Sequence, residues 1–195
     1  MAAAKTSSKR GPLGKSKVQP MKARTDMASS GSARESVGRE ARAASGGESR
    51  PQVLVLSGPN LDRLGKREPS IYGHDTLAEI HGRVRALAEA RGVRADCRQS
   101  NHEGDLVSWI AEAQDAGYAG VLINPGALTH TSYSIYDAVK SSGLPTIELH
   151  LSNPDSREPF RRRSRIAPAC LGRIAGFGAA SYTLALVGLL DALGL

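Results

Sequence analysis

The stretch VLVLSGPNLDRLGKREPSIYG, residues 53–73, decides how this chain folds. Val53 to Leu56 form an unbroken aliphatic run, short enough for a strand and apolar enough to be buried on both faces. Gly58-Pro59 stops that strand, and the residues beyond are polar with no helical period. A buried first strand that empties into a polar loop is where open α/β sheets hold their ligands. This loop is longer than a plain connection between two elements. Asn60, Arg67 and Tyr72 lie in it, with Gly65, Pro69 and Gly73 as backbone punctuation, so the chemistry is sought here first.

Downstream, Thr76-Leu77-Ala78-Glu79 has the capping-box pattern. Leu77, Ile80, Val84 and Leu87 follow at helical spacing, and Gly92 ends that helix. Val93 to Gln99 reads as a strand whose polar interruptions suit a sheet edge, and Glu103 to Gly117 as a helix with Leu106, Trp109, Ile110 and Ala113 facing inward. Ala119 to Ile123 is a short apolar strand stopped by Asn124-Pro125-Gly126, and Thr131 to Ser142 is a helix closed by Gly143. Leu144 to His150 is a fourth strand. After an arginine-rich connection come a fifth strand near Cys170–Ala175 and a last helix from about Ala179, carrying Leu184, Val187, Leu190 and Leu193. Strand and helix alternating in this way predict a five-stranded parallel sheet with helices on both faces, a three-layer α/β sandwich. Right-handed crossovers leave the flavodoxin-like strand order 2-1-3-4-5 as the natural one.

Upstream, the composition changes character. Residues 1–50 hold 11 of the 26 Lys and Arg but only 4 of the 19 Asp and Glu, so the entire +7 excess lies there. Residues 51–195 carry 15 of each sign, and the basic pI therefore says nothing about what the domain binds. The first fifty residues contain no Phe, Trp or Tyr, and Leu13, Val18 and Val37 are their only large aliphatic side chains apart from methionine. Such a segment buries too little apolar surface to offset its ordering entropy, so 1–50 is expected to be a disordered basic tail and 51–195 the catalytic domain. No apolar signal-peptide core or membrane-length run is present, and Glu35, Glu40 and Glu48 weaken a transit-peptide reading, so a cytoplasmic protein is expected. Cys97 and Cys170 fall in the second and fifth predicted strands without a CxxC, as two reduced core thiols.

On a parallel sheet the polar residues converge. Pro59-Asn60, Asn101-His102-Glu103, Asn124 through His130, and His150 through Asn153 each follow a strand, so all sit at the carboxyl edge. Neither GxGxxG nor GxxxxGK[ST] follows the first strand, which argues against a dinucleotide or a P-loop nucleotide. His74, His81, His102, His130 and His150 show no paired metal spacing. The domain's lysines are Lys66 and Lys140, neither in an apolar strand that would free its amine for a Schiff base. Acid–base work by Tyr, His, Arg and Asn remains. Glu148 and His150, two apart on a strand, share a face, as suits an oriented general acid. A phenol with an ordinary pKa of ~10 must give up about 4 kcal/mol of proton affinity to act as a base near neutral pH. For Tyr72, the Arg67 cation on the same loop is the group that could supply much of that.

GPNLDRLGKREPSIYG, QSNHEG, NPGALTHTS and ELHLSNPDSREPFRRRS, in this order and followed by GFGAASYTLAL, strongly resemble type II 3-dehydroquinate dehydratase. The resemblance runs from about Val53 to Leu193 and leaves the first fifty residues outside. It implies a flavodoxin-like enzyme that removes water from 3-dehydroquinate by anti elimination, with no cofactor and no metal. By the same resemblance Tyr72 takes a C2 proton with Arg67 beside it, Asn60 helps hold a water that steadies the enolate, and His150, positioned by Glu148, protonates the departing hydroxyl. Asn124, His130, Asp137, Leu151, Ser152 and Arg161 are implied to bind the substrate. A homo-oligomer built from trimers, commonly a dodecamer, is implied as well, with Asp137 reaching a neighbour's site. Ser57, Tyr136 and Asp155 depart from the family's usual Asn, Arg and His. A non-enzymatic flavodoxin-like module with a nucleic-acid-binding tail would require the Tyr72–Arg67 loop and the Glu148–His150 pair to be incidental. No specific nucleic-acid partner is therefore expected.

Overall fold

Alternate residues of the first strand feed two separate cores, which is why its sequence is apolar without interruption. In the computed structural model, which describes residues 50–66 and 74–195, that strand is β1 (Gln52–Ser57). Val53 and Val55 face a core shared with α1 (Leu77–Ala90) and α4 (Ala180–Leu193). Leu54 and Leu56 face another, shared with α2 (Glu103–Ala113) and α3 (Tyr133–Ser142). All four side chains are fully buried, each contributing about 1.5–3 kcal/mol of transfer free energy.

The remaining strands are β2 (Arg94–Gln99), β3 (Tyr118–Asn124), β4 (Thr146–His150) and β5 (Gly172–Ala175). They pair in parallel in the order β2-β1-β3-β4-β5, with helices on both faces, as the alternation predicts. The polar strand β2 lies at an edge, as expected. Ser57 is level with both Gln99 and Asn124, so the carboxyl ends of β1, β2 and β3 share one rim. Thr76 caps α1 through the predicted box: Glu79 N–H donates to Thr76 Oγ1 at 3.3 Å, and Thr76 N–H to Glu79 Oε2 at 2.8 Å.

Some boundaries and faces differ from the sequence reading. The second helix ends at Ala113, and the residues up to Gly117 form turns. Cys170 lies in the turn before β5, whereas Cys97 is in β2; both are free and partly buried, and burial pushes their thiols up to about 12 and about 11. The inner face of α4 is Tyr182, Ala185, Leu186, Leu189 and Leu190, while Leu184 is 43% exposed. That helix is apolar all round, so periodicity could not locate its buried stripe. Arg67 and Tyr72 lie outside the described residues, as do residues 1–49 of the expected basic tail. Among the described residues no helix is long and apolar enough to cross a membrane.

Candidate active site

Gly58 joins the loops that follow β1 and β3. Its N–H donates to the Asn124 carbonyl at 2.8 Å. A Cβ at this position would stand 2.6 Å from the Pro125 carbonyl oxygen, so only glycine lets the two backbones approach this closely. The chain then turns through Asn60, whose φ of 65° is the only positive value among the described non-glycine residues. Asparagine tolerates this left-handed geometry better than most residues. Asn101, from the loop after β2, fixes it further: its Oδ1 accepts the Asn60 N–H at 2.8 Å and an N–H of Gln99 at 3.1 Å.

The predicted Glu148–His150 pair forms on β4. His150 Nε2 lies 2.7 Å from Glu148 Oε1, with Glu148 fully buried and His150 8% exposed. A carboxylate only accepts, so the imidazole carries a proton on Nε2 and leaves Nδ1 as its other hydrogen-bonding atom. Glu148 Oε2 accepts from Ser164 Oγ at 2.6 Å, and Arg173 Nε on β5 is 3.5 Å from Oε1. Ser164 is itself held, since its oxygen accepts the N–H groups of Ile166 and Ala167 at 3.0 and 2.9 Å.

An open cleft of about 780 Å3 lies at this rim. Asn60, Asn124, His130, His150, Leu151, Ser152 and Arg161 all line it. These seven are therefore brought together from four segments distant in sequence. His130 donates through Nδ1 to the Arg163 carbonyl at 2.9 Å and stacks edge-on against Phe160, with ring centres 5.6 Å apart. Arg161 lies over the other partner of that contact, 4.6 Å from the Phe160 ring centre, and its Nε donates to Glu158 at 2.9 Å. Asn124 is 2% exposed; its Nδ2 donates to the Tyr182 hydroxyl at 3.3 Å and its Oδ1 accepts the Gly126 N–H at 3.3 Å. The cleft thus offers amide and imidazole groups to hydroxyls, and guanidinium to a carboxylate.

Asp137 is not brought in. It stands exposed on α3 and does not line the cleft. Sequence reasoning missed Arg157, a second cation in the cleft wall, and the residues behind it: Ser164, Arg173 and Tyr182. Arg157 and Ser164 belong to the arginine-rich connection, where no periodicity marks an inward side chain. Tyr182 sits within GFGAASYTLAL but on a helix whose sequence has too little polar contrast to mark its inner face. Among the described residues, no group of three or more His, Cys, Asp or Glu is placed to hold a metal ion.

Comparison with known proteins gives the family and the fold. The family described as dehydroquinase class II matches residues 51–190. A 3-dehydroquinate dehydratase of Halalkalibacterium halodurans is 55% identical over 139 residues, covering 71% of this chain and 95% of the relative. That of Thermus thermophilus is 48% identical over 141 residues, covering 72% and 95%. The crystal structure of type II dehydroquinase from Butyrivibrio crossotus superposes with a TM-score of 0.70 at 39% identity, covering 75% of this chain and 99% of that one.

Proposed function

The chain belongs to the class II dehydroquinase family, and from that premise we propose that it dehydrates 3-dehydroquinate to 3-dehydroshikimate through an enolate, by anti elimination, without Schiff base or metal. Tyr72, activated by Arg67, removes a proton from C2. The electrons move onto the ketone, and Asn60 helps hold the water that hydrogen-bonds the resulting enolate. His150 then gives its proton to the hydroxyl on the neighbouring carbon. The C–O bond breaks, the ring double bond forms and water leaves. Proton exchange with solvent restores Tyr72 and His150. Preorganised hydrogen bonds to the developing charge supply the stabilisation that an imine would otherwise give.

The observation that carries this reading is the 2.7 Å contact between His150 and the buried Glu148 at the rim of a polar cleft. Glu148 accepts from Nε2 and so holds the imidazole in one orientation, as a positioned general acid needs. Asn124, His130, Leu151, Ser152 and Arg161 bind the substrate's hydroxyls and carboxylate. Asp137 completes a neighbouring subunit's site in a trimer-based assembly, a dodecamer. Large exposed side chains on the isolated chain, Tyr133, Phe160, Leu171 and Phe177, support self-association. The protein works in the cytoplasm.

The test is direct: purified full-length chain mixed with 3-dehydroquinate should develop the absorbance of the conjugated enone product. Tyr72→Phe should abolish that signal while leaving substrate binding intact. A Tyr72→Phe protein that keeps more than a few per cent of the wild-type rate would remove tyrosine from the mechanism.

A further inference from the structure

We propose that Tyr182, Ser57 and His81 are positioning residues: a buried hydrogen-bond chain of one direction, running from Asn124 back to α1, sets which way the Asn124 carboxamide faces the cleft. The proposal rests on the reading of Asn124 as a substrate ligand.

The direction follows from donors and acceptors taken in turn. The Gly126 backbone N–H can only donate, so the Asn124 atom 3.3 Å from it is the carbonyl oxygen Oδ1. Nδ2 therefore faces the Tyr182 hydroxyl, at 3.3 Å. An amide N–H only donates, so the phenol oxygen accepts there and its own hydrogen points elsewhere. Its other partner is Ser57 Oγ at 2.9 Å. Ser57, having accepted from Tyr182, sends its hydrogen to His81 Nε2 at 3.1 Å. That nitrogen must be bare, and the ring proton must sit on Nδ1. One backbone N–H thus propagates an orientation through four side chains.

Burial keeps the chain from reversing. Ser57 and Tyr182 are 0% exposed and His81 6%, so no bulk water competes for these groups. Burial, with some help from Arg85, pushes His81 down to about 4, and burial pushes the Tyr182 phenol up to about 12. Both are neutral through the working range. The His81 ring also packs edge-on against Tyr182, centres 6.1 Å apart, which restrains both rings. Asn124 accordingly meets a ligand with its second Nδ2 hydrogen and one Oδ1 lone pair in preset places. Ser57 is short enough to leave room for the histidine to reach it, and it stands where the resemblance leads one to expect asparagine.

The decisive measurement is a double-mutant cycle in the full chain, with 3-dehydroquinate as substrate. Tyr182→Phe should raise KM about tenfold, the effect of one misdirected hydrogen bond, and change kcat by less than about threefold. In an Asn124→Ala background the same substitution should change KM by less than about twofold, because the group it orients is gone. Equal effects in the two backgrounds, or no effect on KM in the first, would overturn the proposal. A second readout needs no variant: nitrogen NMR of the wild-type protein should show His81 as the Nδ1–H tautomer with an unprotonated, hydrogen-bonded Nε2. A protonated Nε2 overturns the assigned direction whatever the kinetics. Wild-type protein that fails to turn over 3-dehydroquinate sinks the functional reading instead, and the tautomer measurement still decides the chain's direction.

Discussion

Glu148 has no exposed surface, and its charge is tolerated because His150, Ser164 and Arg173 surround it at 2.7, 2.6 and 3.5 Å. Ser164→Ala leaves one carboxylate oxygen short of a donor in a dry place. It should lower stability by about 1–3 kcal/mol and slow turnover, because the carboxylate no longer has a single orientation behind His150. A denaturant melt indistinguishable from wild type would show that water replaces the hydroxyl at no cost. His150→Ala separates the two proton transfers: if His150 serves only the leaving hydroxyl, the variant should still exchange the C2 proton of 3-dehydroquinate with deuterated solvent. Bound substrate that never exchanges would count against a stepwise path. His81 gives a pH signature of stability. Its folded value, about 4, lies below the ordinary 6.5, so the unfolded chain binds the proton more readily. The contribution of His81 to stability is therefore complete above about pH 6.5 and falls by on the order of 3 kcal/mol as pH drops towards 4. His81→Gln should flatten that slope between pH 6.5 and 4; parallel slopes for variant and wild type would mean that other groups govern the acid limb.

At the scale of elements, two glycines, one buried and one exposed, have opposite roles. Gly58 brings the β1 and β3 loops together where a Cβ would collide with the Pro125 carbonyl at 2.6 Å, and backbone on that side cannot swing away. Gly58→Ala should cost about 1–3 kcal/mol and reduce activity more than its stability loss explains, since Asn60 and Asn124 both hang from those loops. Gly82 lies exposed in the middle of α1, and a Cβ there meets nothing within 4 Å. Gly82→Ala should raise stability by up to about 1 kcal/mol, the difference in helix propensity, and leave the rate unchanged. Thermal melts with initial rates on the two variants test the contrast, and a neutral Gly58→Ala would show that the loops can separate without loss.

At the scale of the molecule, the question is what lies outside one domain. The +7 excess belongs wholly to residues 1–50, which also fall outside the residues matched to the family. Deleting them should leave turnover and assembly unchanged while removing most salt-sensitive retention on polyanions, which scales with the charges neutralised. Loss of activity or dissociation on truncation would show that the tail folds onto the domain. Asp137, exposed on α3 and away from its own cleft, gives the complementary test of assembly. Tyr72→Phe and Asp137→Ala chains, each inactive alone, should recover activity when refolded together, because some mixed sites contain both intact residues. Activity no greater than the sum of the two separate preparations would mean that each site is built within one chain.

The unbroken apolar run at Val53–Leu56 and the alternation of strand with helix determined the sheet, its order and the rim at which Asn60, Asn124 and His150 meet. Those features are local or follow from chain handedness, and a period of two on β4 was enough to pair Glu148 with His150. Periodicity was silent where it carries no contrast. On α4, apolar on every side, it could not say that Tyr182 points inward, and on the connection after β4 it could not single out Ser164. Only the tertiary structure decided those contacts, because each joins groups distant in sequence: Tyr182 reaches Ser57 and Asn124, and Arg173 reaches Glu148. A hydrogen bond depends on the distance and direction between two atoms, and for such pairs the packing of helices against the sheet sets both.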